Sequence, residues 1–307
     1  MPRFTVASLN CDNLFQPGVH LNRGPQTSVG LTTKIVDLAR TMRIACPARL
    51  PAIMCLSEIG AEQLGRRVSD AVRLRRYQTL WSGSPMPQQT GVMVAYDPRI
   101  VQADATADDR ATRGARERCK WFAVRFRIRH GSTAPFWLVL NHWKSRMGGE
   151  VTTEAARSNS AREIGEFFLT TARNSSEAMV LIGDFNCEPG AAPFVKPANS
   201  LRAVRERSTV FRDRNRLAYF YNPMWRLLGE ADAYERTCTP GYYAPRPPGT
   251  FCPSFGNEGW ITLDQIMVSK RLLIGGPIRF VESTLRVTQP LGQCSDHCAI
   301  AACFDYT

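Results

Sequence analysis

The sequence predicts an α/β fold with more than one sheet. Short, mostly apolar runs recur from one end of the chain to the other, as buried strands do. Stretches with apolar residues at spacings of three and four lie between them, as helices with one buried face do. The 307 residues, 44% hydrophobic and 21% charged, are enough for a full core and exclude a disordered chain or a small cross-linked module.

The strand-like runs are residues 4–9, 52–56, 91–96, 122–128, 136–140, 179–182, 266–268 and 298–304. A helix over 32–44 places Ile35, Leu38, Ala39 and Met42 on one face. Another over 154–171 does so with Ala155, Ala161, Ile164, Phe167 and Phe168, and a third fits 61–74. Residues 188–260 are the weakest for regular structure. Prolines and aromatics such as Tyr219, Phe220, Tyr221, Trp225, Tyr242 and Tyr243 mark them as a folded, loop-rich functional excursion, not a linker. A prior of ~150 residues per domain suggests about two domains, but α/β folds often run this long as one. The whole of 1–307 is therefore read as one catalytic domain.

The 39 basic residues outnumber the 27 acidic ones, for a net charge of +12. Such a surface attracts polyanions, whether nucleic acid, acidic lipid or phosphorylated small molecules. No apolar stretch approaches the roughly 20 residues of a membrane span, and no secretory leader is legible, so a cytoplasmic location is expected. None of the ten cysteines forms a Cys-x-x-Cys pair, which argues against a zinc ribbon. Reduced thiols are expected, with Cys238 and Cys252 the one pair that an oxidising compartment would bridge.

Polar residues stand at the ends of the buried runs: Asn10, Glu58, Asn141 with His142, Asp184 with Asn186, and Asp296 with His297. Each alone has a plain structural reading. Asn10 suits a turn, Glu58 a solvated strand terminus, His142 a satisfied core histidine, and Asp264 a closed loop. Strand ends in α/β folds are also where ligands bind. Carboxylates, carboxamides and histidines gathered there are the materials of metal-assisted hydrolysis.

The ordered segments Ser8-Leu9-Asn10-Cys11-Asp12-Asn13-Leu14-Phe15, Cys55-Leu56-Ser57-Glu58-Ile59, Leu140-Asn141-His142-Trp143-Lys144-Ser145, Ile182-Gly183-Asp184-Phe185-Asn186, Thr262-Leu263-Asp264-Gln265-Ile266 and Ser295-Asp296-His297 resemble the endonuclease/exonuclease/phosphatase superfamily of metal-dependent phosphodiesterases. The resemblance implies a four-layer α/β/β/α sandwich with two central mixed sheets. It implies Mg²⁺, with Mn²⁺ as substitute, held chiefly by Glu58. Asn10 binds or positions the metal and phosphate, Asp296 joins the metal site, and Asp12 holds a second position on the metal or stands one layer back. Asp184 and Asn186 orient the attacking water and a phosphate oxygen, and His297, held by Asp264, acts as base jointly with Asp184. His142 serves the scissile phosphate or the leaving oxygen. Gln265 departs from the histidine or aromatic residue often found at its position in relatives.

Substrate class is read from charge. Arginines cluster at 66–76, 110–129 and 202–216, although only five lysines in the chain fit a compositional bias toward arginine equally well. Arg118 or Lys120, with Lys144 and Arg146, are the expected phosphate contacts. A nuclease acting on DNA, by internal cleavage, is the leading expectation. The alternatives are a phosphoesterase for lipid headgroups or small phosphorylated molecules, and a non-catalytic nucleic-acid-binding protein on the same fold.

Overall fold

The structure, a computed structural model, describes every residue outside 21–22, 47–49, 73–75, 84–88, 109–119, 132–133, 174–175, 197–200, 212–217, 231–248, 252–259 and 293. Arg118, Cys119, Cys238 and Cys252 lie outside the described residues, and so does the expected Cys238–Cys252 pair. In chain order the elements are β1 (Arg3–Leu14), α1 (Ser28–Ala45), β2 (Ile53–Ile59), α2 (Glu62–Ala71), β3 (Gln78–Ser82), β4 (Gly91–Tyr96), β5 (Val101–Asp108), β6 (Trp121–Ile128), β7 (Phe136–His142) and α3 (Glu150–Phe167). Then follow β8 (Ala178–Asp184), α4 (Ala192–Val195), β9 (Leu201–Val204), α5 (Arg207–Phe211), β10 (Ala218–Tyr221), α6 (Trp225–Glu230), β11 (Asp264–Ser269), β12 (Ile278–Thr288) and β13 (Ala299–Tyr306).

Two mixed sheets result, ordered β12-β13-β1-β2-β4-β3 and β5-β6-β7-β8-β11-β10-β9. Side-chain alternation along the strands sorts three apolar layers. Val6, Ile53, Cys55, Leu138, Leu140, Val180, Ile182, Ile266 and Ile300 fill the space between the sheets. Ala7, Leu9, Met54 and Leu56 face the other way, onto Ile35 and Leu38 of α1 and Leu64 of α2. Val139, Met179 and Leu181 pack on Ile164 of α3 and on Phe168. This is the α/β/β/α sandwich expected from the sequence. Continuous apolar runs in the central strands follow directly, because both of their faces are covered.

The 188–260 region is more regular than its composition suggests. Its strands β9 and β10 pair in parallel and complete one edge of the seven-stranded sheet. They are four residues each, too short for alternation to stand out among prolines and arginines. β3, β5 and β12 also escape a hydrophobicity reading. β3 and β12 are sheet edges and β5 closes the other sheet, so one side of each carries polar residues. No helix among the described residues is long and apolar enough to cross a membrane.

Six of the seven described cysteines are buried, and Cys303 is half-buried. Burial pushes the Cys46 thiol up to about 12 and that of Cys294 up to about 11, which suppresses the nucleophilic thiolate. Iodoacetamide applied to the native protein should therefore label Cys303 before the other six. Peptide mass spectrometry reads the order, and first labelling at Cys11 or Cys187 would contradict this packing.

Candidate active site

The inter-sheet core changes from apolar to polar at one end. The inward row of β1 runs Val6, Ser8, Asn10; that of β7 runs Leu138, Leu140, His142; that of β8 runs Val180, Ile182, Asp184. β11, antiparallel to β8, starts the same row with Asp264. Register places His142 beside Asp184 and Asp184 beside Asp264 across three adjacent strands. Sheet pairing alone thus lines up three titratable side chains at the mouth of the core.

Glu58 reaches the site through a break in the strand pattern. Leu56 and Ile59 both face the outer layer although three residues apart, and the pairing with β4 shifts register between them. Glu58 itself has φ 59°, a left-handed conformation costing an ordinary residue about 1–3 kcal/mol. Such a bulge re-aims a side chain. Neighbouring Asp12 and Asn13 are left-handed as well, at φ 43° and 56°. The Asn13 N–H donates to Glu58 Oε2 at 2.9 Å. Lys34 of α1 donates to the Asp12 carbonyl at 2.6 Å and pairs with its carboxylate at 3.3 Å, which fixes the turn from outside.

The other groups close around this carboxylate. Asn10 Nδ2 lies 3.3 Å from Glu58 Oε1, 3.1 Å from Asp184 Oδ2 and 3.4 Å from His297 Nε2. Its Oδ1 accepts the Asp12 N–H at 3.0 Å. His142 Nε2 is 3.2 Å from Glu58 Oε1 and 3.9 Å from Asp184 Oδ2. Asp184 accepts from the Asn186 backbone at 2.7 Å and from its side chain at 2.9 Å. The Asn186 amide also donates to the Trp143 carbonyl at 3.1 Å. Gly183, at φ 120°, lets the β8 end pass close to β7: a Cβ there would sit 2.3 Å from the Asn141 carbonyl oxygen.

His297 Nδ1 donates to Asp264 Oδ2 at 2.6 Å. Its Nε2 then faces the cluster, 3.9 Å from Asp184 Oδ2 and 3.8 Å from Asp296 Oδ1. Burial opposes charging this imidazole, but Asp264, Asp184 and Asp296 outweigh it and hold its pKa well above the ordinary 6.5. Burial pushes up all three carboxyls, Asp184, Asp264 and Asp296. For Asp184 the histidines pull the other way while Asp264 adds to the rise. Crowded carboxyls of this kind mark functional sites.

Asn10, Glu58, His142, Asp184, Asn186, Asp264 and His297 thus converge, with Asp296 at the rim, its side chain 36% exposed. Lys120 flanks them, since its carbonyl accepts the His142 N–H at 2.9 Å. Lys144 is exposed, whereas Arg146 is paired with Glu150 at 2.5 Å. The arginine clusters are partly neutralised: Arg125 and Arg127 pair with Asp104, Arg125 also with Glu177, and Arg207 with Glu282, which also pairs with Arg226 outside them. Asn141 turns away, donating to the Val139 and Ile182 carbonyls and accepting from Trp143 Nε1.

Of the supporting residues, Ser295 and Gln265 stand in the ordered segments, whereas Thr250 and Phe251 carry no signal of their own in the sequence. Ser295 Oγ donates to the Asn10 carbonyl at 2.8 Å and accepts the His297 N–H at 3.0 Å. Thr250 Oγ accepts the Asp264 N–H at 2.8 Å, and the Phe251 ring lies 4.7 Å from the His297 ring. Gln265 is buried; it donates to the Cys187 carbonyl at 2.5 Å and accepts from Asn222 at 2.7 Å. It braces the loop after Asp184.

The donor set suits a hard, oxygen-seeking divalent cation. The carboxylates of Glu58 and Asp296 reach solvent at the mouth, and Asp296 feels the charge of Glu58 and Asp12. Among the described residues no three His, Cys, Asp or Glu side chains are grouped to enclose an ion.

A family model described as "Endonuclease/Exonuclease/phosphatase family" matches residues 6–234. Comparison with curated proteins found no match. Among solved structures, the human Nocturnin catalytic domain with bound sulfate aligns at TM-score 0.60 and 17% identity, covering 99% of this chain and 95% of that one. A D. rerio TDP2 humanized by 14 mutations aligns at TM-score 0.62 and 13% identity, covering 99% of each chain. D. rerio TDP2 complexed with single strand DNA product aligns at 0.59 and 15%, again over 99% of each. At these identities the likeness is one of fold.

Proposed function

The chain belongs to the endonuclease/exonuclease/phosphatase family, whose members hydrolyse phosphodiester bonds, and on that premise we propose that it cleaves nucleic acid with a divalent cation. Mg²⁺ is the preferred ion, with Mn²⁺ as substitute, DNA is the favoured substrate, and cleavage is internal. Residues 1–307 act as one catalytic domain in this reading. The observation that carries it is the convergence of five side chains, with Asn10 within hydrogen-bonding reach of Glu58, Asp184 and His297, and His142 within reach of Glu58. A binding protein has no need of such a set.

Glu58 would hold the cation, with Asp296 beside it. When bound, the ion neutralises charge developing on the phosphoryl oxygens and the leaving group. Asn10 binds or positions the cation and the phosphate: its amide group faces the site, while its Oδ1 accepts the Asp12 N–H. Asp184 and His297 look onto the same space and share the task of taking the proton from water. Asp264 fixes the His297 ring so that Nε2 points inward, the arrangement in which a carboxylate steadies an imidazolium. Asn186 orients Asp184, and His142 Nε2 donates to the scissile phosphate or the leaving oxygen.

The basic balance of the chain and the exposed Lys144 support a polyanionic substrate, as does the shared fold of the DNA-bound TDP2. Purified protein with Mg²⁺ should convert supercoiled plasmid to nicked and then linear forms, and EDTA should stop it. Raising monovalent salt from 50 to 200 mM should cut the rate at subsaturating DNA by about tenfold, as ~2 released phosphate contacts require. A flat salt response, with turnover confined to small phosphoesters, would move the assignment to a small-molecule substrate.

A further inference from the structure

A second concave site lies at the end of β1 remote from the catalytic cluster. α1 covers the outer face of the six-stranded sheet along Ala7, Leu9, Met54 and Leu56, but it ends at Ala45. Beyond that point the outward row of β1 continues as Thr5 and Arg3, and Cys303 of β13 stands beside Thr5 in register. A cavity of about 430 Å³ is left between the helix end and these strands. Thr5 and Asn10 are about 17 Å apart along an extended strand, and Asn10 faces the other side of the sheet.

The third wall is a bulge in β12. That strand pairs Val281 with Cys303 and Arg286 with Ala301, so the residues between them loop out of the ladder. Thr284 of this loop accepts the Cys303 N–H at 2.8 Å and donates to the Val281 carbonyl at 2.6 Å, which fixes it against β13. Bulges in edge strands re-aim side chains, and here Ser283, Thr284 and Arg286 border the cavity.

The lining is cationic. Arg3 and Arg286 border the space, and among the described residues no carboxylate does. Arg3 shares Asp305 with Arg279, at 2.6 and 3.1 Å. Arg286 is exposed and pairs with no carboxylate among the described residues. Thr5 Oγ and Cys303 Sγ, 3.3 Å apart, add polar atoms, and Ala45 and Ala301 add small apolar surface. The volume far exceeds the ~30 Å³ share of one water and falls in the range of small-molecule sites, ~300–1,000 Å³.

We propose that this cavity is a second binding site, taking a small organic anion whose phosphate or carboxylate group is held by Arg286 and Arg3 while its uncharged part rests on Ala45 and Ala301. Guanidinium groups recognise both oxyanions through paired N–H donors. Walls on three sides suit a small molecule better than the backbone of a nucleic acid, which needs an open groove.

Cys303, half-buried in the same lining, reports on occupancy. Iodoacetate carries the negative charge that iodoacetamide lacks. The ratio of their rates at Cys303 should be about tenfold higher in the native protein than in urea-unfolded protein, the lower end of what a charged cleft gives an ion of opposite sign. Arg286→Gln should remove most of that gain and Arg286→Lys should keep part of it, with melting temperature and diester hydrolysis unchanged in both. Inorganic phosphate or acetate, at constant ionic strength, should slow iodoacetamide at Cys303, and the more effective of the two identifies the acidic group of the ligand. Peptide mass spectrometry reads every arm. A native ratio equal to the unfolded one, or a gain that persists in Arg286→Gln, overturns the proposal. So does a Cys303 that neither small anion protects, including the case in which an oligonucleotide does, which would make the cavity part of a nucleic-acid surface.

Discussion

Glu58→Gln should lower kcat on DNA by about three orders of magnitude or more, the scale of losing a charge that stabilises a phosphoryl transition state. The substitution preserves shape. Its carbonyl can still accept the Asn13 N–H that now reaches Glu58 Oε2, and a left-handed φ of 59° is no worse for glutamine. What disappears is the charge that would hold a cation. Folding should not suffer. Asp296 already feels repulsion from Glu58, and its relief offsets the loss of Oε1 as acceptor for Asn10, so the metal-free melting temperature should stay near wild type. The wild type should gain melting temperature on adding Mg²⁺, and the variant should gain less. Steady-state kinetics and melting with and without Mg²⁺ read both effects together; wild-type turnover in the variant would remove Glu58 from its assigned role.

Removing the imidazole at His297 should cost about 10²–10⁴ in kcat, the usual worth of a positioned acid–base group, while DNA affinity stays near wild type. His297→Ala tests the group, and Asp264→Asn tests what holds it. Burial resists the charge on His297, but Asp264, through Coulomb attraction and its hydrogen bond, together with Asp184 and Asp296, raises its pKa well above 6.5. A raised imidazole pKa means that the folded state binds its proton more tightly than the unfolded state. The stabilisation is complete below the ordinary histidine value and is lost as pH climbs through the raised one. Metal-free wild type should thus lose melting temperature toward alkaline pH, and Asp264→Asn should flatten that decline. Its rate profile should also move its acid limb to lower pH. Melting curves and kcat across pH decide the matter, and an unchanged profile in Asp264→Asn would break the proposed coupling.

The sequence displays these residues better than it displays the sheets that carry them. Leu138, Leu140 and His142, like Val180, Ile182 and Asp184, keep one alternation while changing from apolar to polar, so their place at the core's mouth is legible once the strands are recognised. Glu58 breaks its strand's alternation. Its inward aim depends on a bulge that only the pairing with β4 defines, and the ordered motif identifies it where periodicity does not. Lys34, Thr250 and Phe251 act through contacts with residues distant in the chain, and no local pattern announces such contacts. β12 shows no clear alternation because it is an edge strand with a register shift between Val281 and Arg286. Composition overstates the free charge of the arginine clusters: Asp104 and Glu177 pair with Arg125, Asp104 with Arg127, and Glu282 with Arg207, pairings between segments distant in the chain.

The most direct test is a crystal of the protein saturated with Mn²⁺, with anomalous scattering used to find the ion. The account predicts a peak against the Glu58 carboxylate, on the side shared with Asp296, and its loss in Glu58→Gln. A saturated crystal with no ion at Glu58, or with its ion bound elsewhere while DNA cleavage persists, would contradict it.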